Sequence, residues 1–181
     1  LIYAGHNEYY GALGVGSMES LGQNRFMANL ILSLNKFKTV ELLRNILQSI
    51  ISAFSESQPD SKSTLMSRMA EKKDIAYNSD AFNAGISQFE GNMKDAVEMI
   101  TNAEVPLIIS TLSYNLKDLA PFISREENGY PAAKEVFNNA ITALGNEKPS
   151  EADSLFRFAK DLDMLRFRAP EKINKIIFDL S

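Results

Sequence analysis

"VPLIISTLS", Val105 to Ser113, is dense in aliphatic and β-branched residues and follows a stretch with helical spacing. A short apolar run without polar alternation is the pattern of a buried strand in a parallel sheet. Pro106 suits the start of such a strand. "LIYA", Leu1 to Ala4, is a second run of this kind, stopped by Gly5. A parallel pair needs a long crossover, usually helical, and long helical segments separate these two runs. The pair is therefore expected to be parallel neighbours or near neighbours in one sheet, which puts the chain in the α/β class.

Outward from Val105, the helical signal upstream is clean. Asp80 can cap a helix in which Phe82, Ile86, Phe89, Met93, Val97 and Ile100 recur at steps of three or four, ending near Asn102. Downstream, "SYNLKDLAPF" reads as a loop. Beyond it Ala133, Phe137 and Ala140 repeat as Ala152, Phe156 and Ala159, with Gly145 and Pro149 between. This predicts an antiparallel helical hairpin with small residues at the close contacts. It has the Ala-x-x-x-Phe-x-x-Ala look of a tetratricopeptide unit. Pro170 then opens a last helix at its first turn, burying Ile173, Ile176, Ile177 and Leu180.

Towards the N-terminus the glycine-rich Gly11–Gly16 leads to Ser17–Ser20, which can open a helix carrying Phe26, Leu30 and Leu34. From Thr39 a second helix places Leu43, Leu47, Ile50 and Phe54 on one face, widened by Leu42, Ile46 and Ile51. Ser55–Ser63 is a polar loop, and a short helix covers Thr64–Glu71. The chain is expected to be one domain over 1–181. It divides into a strand and polar loop at 1–20 and a helical insertion at 21–75. A helix–strand–loop follows at 80–124, then the hairpin and final helix at 129–181.

Composition bounds the function classes. Of 181 residues, 45% are hydrophobic and 23% charged, as in an ordinary globular domain. The net charge of -4 argues against a nucleic-acid partner, which would call for a basic face. Without cysteine there is no thiolate nucleophile or disulfide, and the single histidine argues strongly against a structural zinc site. No metal or other cofactor is expected. No apolar run reaches the roughly 18 residues of a membrane span, and no signal peptide is visible. The chain has no initiator Met and begins inside an apolar run, so it is expected to be an internal piece of a longer protein.

The polar cluster after Gly5 stands where ligands bind in open α/β sheets, at a strand's carboxyl end. "GHNE", Gly5 to Glu8, resembles the third conserved block of the SGNH hydrolases, Gly-x-Asn-Asp, with Glu8 in place of Asp. "YAGHNEYYG", "VPLIISTLSYNLKDLAPF" and "DLDMLRFRAP" occur in this order in a subgroup of SGNH-like proteins often joined to tetratricopeptide repeats. There the long helical stretch between the first two is an insertion. The resemblance covers most of the chain and implies a helix-rich fragment of a flavodoxin-like sheet with a C-terminal helical hairpin.

It further implies that Asn7 is the oxyanion donor of an ester hydrolase. A neutral amide at a rigid strand end stabilises developing charge without reorganising. Gly5 belongs to the same catalytic block. The family's Gly-Asp-Ser nucleophile and Asp-x-x-His base have no match in this chain: "GVGS" has no Asp, and His6 sits in the oxyanion block. These blocks are expected before Leu1 and after Ser181, and the chain alone is expected to be inactive. An extracytoplasmic or membrane-anchored parent is the family pattern.

Candidate contacts to a small ester or acylated substrate are His6, Glu8, Tyr10, Asn115 and Arg168. Each has a structural counterpart. His6 is otherwise a hydrogen-bonder at a strand end, Asn7 a turn residue, Glu8 a helix cap and Tyr10 a packed aromatic. Asn115, with Lys117 and Asp118, follows the second strand and is otherwise solvated loop. Arg166 and Arg168 flank Phe167 and either clamp an anion or pair with Asp161 or Asp163. The rival function is an SGNH scaffold without chemistry, whose hairpin presents a surface to a protein partner.

Overall fold

The structure, a computed structural model, describes residues 1–6, 8–10, 14, 33, 38, 42 and 74–181. Among these, four helices have defined bounds: α1 (Asp80–Asn102), α2 (Ala133–Gly145), α3 (Pro149–Leu162) and α4 (Glu171–Asp179). The described part is thus helix-rich, as expected. Of the helical insertion at 21–75, Ser33, Lys38 and Leu42 are described and helical, and the chain is described again from Asp74. The helices expected around Phe26, Leu43 and Thr64 otherwise lie outside the described residues.

Ser79, not Asp80, caps α1: its hydroxyl accepts a hydrogen bond from the Phe82 N–H at 3.2 Å. Asp80 sits one place further in, where a carboxylate meets the positive end of the helix dipole. Phe82, Ile86, Phe89 and Met93 are buried along one face, and Val97 and Ile100 are half-buried. In the hairpin, Ala133, Ala140, Ala152 and Ala159 are all buried where α2 and α3 meet. Phe156 is buried and Phe137 half-buried, their rings edge to face at 5.3 Å. In α4, Ile173, Ile176 and Ile177 are buried as the spacing predicts, with Pro170 one position ahead of the first turn and Leu180 half-buried.

Ile2 and Ile109 form an isolated parallel bridge. The Ile2 N–H donates to the Ile108 carbonyl at 2.8 Å, and the Ser110 N–H donates to the Ile2 carbonyl at 3.0 Å. No longer ladder joins the two segments among the described residues. Ile2 and Ile109 turn towards the main core, built from Phe82, Ile86 and Phe89 of α1 and Ile173 and Ile177 of α4, with Tyr9, Tyr10 and Leu112.

Both runs were expected to be buried. The other face is bare: Leu1 is 86% exposed, Tyr3 53% and Ile108 67%. Side chains alternate along an extended segment, so the residues flanking the bridge point away from α1 and α4. A second short pairing, Glu127 with Tyr130, closes an Asn128-Gly129 turn in which both central residues have positive φ. That is the preferred two-residue hairpin turn.

Candidate functional site

A parallel bridge delivers both carboxyl ends to the same side. On that side Gly5 ends the first segment with φ +136. A Cβ there would lie 2.7 Å from Ile173 Cγ2 and 2.7 Å from Leu112 Cδ1, so glycine is required by α4 and the second segment. His6 follows, half-buried, with its ring edge to face with Tyr114 at 5.6 Å. Tyr3 is the other ring beside it, at 6.2 Å. Asn7, the expected oxyanion donor, lies outside the described residues. Glu8 is half-buried, and burial holds its carboxyl above the usual range.

Tyr10 points inward. Its hydroxyl accepts from the Arg166 N–H at 3.2 Å, and its ring meets Phe167 edge to face. Tyr9 is fully buried, donates to the Phe82 carbonyl at 3.0 Å and lies on the helical face left open by Gly85.

The second segment brings Tyr114 and Asn115. Among the described residues the buried Tyr114 hydroxyl has no hydrogen-bond partner. Burial, and then the charges of Glu171 and Asp161, push its ionisation well above the ordinary range. Over its ring sits Lys160 Nζ, 3.8 Å from the centroid. Lys160 is buried, 2% exposed. It donates to the Ala169 carbonyl at 2.7 Å and pairs with Asp161 Oδ1 at 3.0 Å and Glu171 Oε1 at 2.9 Å. Asp161 in turn accepts from the Glu171 N–H at 3.1 Å, capping α4 in place of the proline that cannot. Burial and the Lys160 charge both hold the His6 ring below its usual pKa, burial being the larger.

Asn115 is exposed, and its side-chain oxygen accepts from the Asp118 N–H, three residues on, at 3.0 Å, a local side-chain-to-backbone bond. Its carbonyl accepts from Arg168 Nη1 at 3.4 Å. Arg168 is buried and donates also to the Leu119 carbonyl at 2.8 Å and to Asp163 Oδ2 at 3.1 Å. The Asp163 carboxylate further accepts from the N–H groups of Phe122, Ile123 and Leu165. Arg168 and Asp163 therefore fasten the 113–123 loop to the link between α3 and α4. Arg166, 1% exposed, donates to the Ile75 and Asp161 carbonyls and lies against the Phe82 ring.

The structure thus gathers Gly5, His6 and the start of the 113–123 loop at one place, with Glu8 close by in sequence. It directs Tyr10 and Arg168 into the interior. Tyr114 and Lys160 were not singled out in sequence. The available signal was Lys160 standing four residues after Phe156 and eight after Ala152, a cation on a buried helical face. A cleft of about 720 Å³ runs beside α4, its walls including Thr111, Arg157, Asp161, Glu171, Lys175 and Phe178. Among the described residues no cluster of His, Asp and Glu could hold a metal ion, and no helix is long and apolar enough to cross a membrane. The chain matches no family model, no curated protein and no solved structure.

Proposed function

We propose that the chain is part of an ester hydrolase of the SGNH type, built on a flavodoxin-like parallel sheet, to which it contributes the oxyanion donor Asn7. The observation that carries this reading is the parallel Ile2–Ile109 bridge with its outlet: both carboxyl ends emerge together, and His6 of the "GHNE" block meets Tyr114 of the following loop. That is the side on which open α/β sheets bind ligands. In this mechanism a serine from a flanking Gly-Asp-Ser block attacks the acyl carbon of a small ester. A histidine from a flanking Asp-x-x-His block takes the serine's proton, and the Asn7 amide donates to the oxyanion.

The test is a longer polypeptide that carries both flanking blocks. Asn7→Ala there is expected to lower kcat by about 10²–10³-fold, the range for losing one such donor, with folding nearly intact. An unchanged kcat ends the assignment. A second reading, a binding module without chemistry, draws on Arg168 and Asp163, whose charges are engaged with each other and with the loop backbone. Flanking sequence without a Gly-Asp-Ser or an Asp-x-x-His block would favour it.

A further inference from the structure

We infer that Lys160 is a positioning residue of this site, which fixes an ammonium against the Tyr114 ring and so sets a fixed positive charge beside His6, on the same ring. The ammonium has little freedom to move. It is enclosed by the Ala169 carbonyl at 2.7 Å, Glu171 Oε1 at 2.9 Å, Asp161 Oδ1 at 3.0 Å and the ring centroid at 3.8 Å. Such a set suits a cation: two carboxylates, a carbonyl and the negative face of an aromatic ring.

Among the described residues the groups around His6 include Tyr3 from its own segment, Tyr114 from the second segment and Lys160 from α3, whose ammonium is paired with Asp161 and Glu171. Among the described residues no carboxylate bonds the imidazole, so nothing there rewards a second cation. Half-burial and a nearby like charge both disfavour imidazolium. A neutral imidazole offers one N–H donor and one acceptor nitrogen, whereas imidazolium offers two donors. On the ester-hydrolase reading, on which this step alone rests, the neutral ring can bond an uncharged acyl ester without attracting the carboxylate product. The protonation state itself does not depend on that reading.

The chain has a single histidine, so imidazole signals in an NMR pH titration belong to His6 alone. The midpoint is expected below 6.5, the ordinary value. Lys160→Met should move it up. Glu171→Gln, which leaves the ammonium less compensated, should move it further down. Loosened packing would instead expose the ring and move both variants up. A wild-type midpoint at or above the ordinary value overturns the inference, as does an upward shift in Glu171→Gln. So does a folded Lys160→Met with no shift. Should Lys160→Met not fold, with Asp161 and Glu171 left unpaired, Glu171→Gln decides alone. Failure of Asn7→Ala to affect kcat would end the hydrolase reading and leave these midpoints unchanged.

Discussion

Gly5 shows how one residue can be read in two ways. In sequence it belongs to a block that resembles an oxyanion loop. In the structure it has φ +136, and its missing side chain is the space filled by Ile173 and Leu112. Gly5→Ala is expected to cost about 1–3 kcal/mol for the backbone conformation, and a further 1–3 kcal/mol for overpacking. Urea denaturation of the variant beside the parent measures it, and equal midpoints would refute it. Asp163 is the second such residue. Its carboxylate receives N–H groups from Phe122, Ile123 and Leu165 and the guanidinium of Arg168. Asp163→Asn leaves that guanidinium without its counter-charge, which is expected to cost about 3–5 kcal/mol. Amide exchange at Phe122 and Ile123 should quicken; exchange at the parent rate would show that the carboxylate does not hold the loop. The pairing of Arg168 was legible in "DLDMLRFRAP" as one of two roles. Its choice over anion binding was not, because the Leu119 carbonyl that completes the guanidinium's set lies far away in the chain.

At the scale of elements, the helices were the most legible part. Caps, steps of three or four, and proline and glycine positions depend on neighbours within a turn or two. The cap of α1 moved by one residue, to Ser79, within the ordinary scatter of helix ends. The hairpin follows from its alanines, which admit close approach and leave Phe156 to fill the space between. Phe156→Ala is expected to cost about 3–5 kcal/mol. Phe137→Ala, at a half-buried ring, should cost less. Thermal melts of the two variants test the order, and a Phe156→Ala protein that melts with the parent would refute the packing. The extended runs were legible as parallel partners, which a single bridge joins in place of the expected strands, but not in their burial. An apolar run does not say which of its faces an element covers.

At the scale of the whole molecule, α1 and α4 cover one face of the bridged segments and leave Leu1, Tyr3 and Ile108 exposed on the other. Exposed apolar residues gathered on one face promote association. The chain is expected to self-associate as its concentration rises, and Ile108→Lys to reduce this. Sedimentation velocity measures both, and a parent that stays monomeric throughout would refute it. The same chain should not turn over p-nitrophenyl acetate above an inert-protein control, since it holds neither a Gly-Asp-Ser nor an Asp-x-x-His block. Turnover that one substitution abolishes would reveal a nucleophile of another kind. By itself the sequence determined the helices α1 to α4, the hairpin among them, and the parallel sense of the two apolar runs. Those follow from local periodicity and from the long helical connection between the runs. The tertiary structure alone decided that Gly5 must be glycine, that Arg168 and Tyr10 face inward, and that Lys160 stands over Tyr114 beside His6. Each of these is a contact between residues far apart in the chain, and its energy depends on burial that no single segment carries.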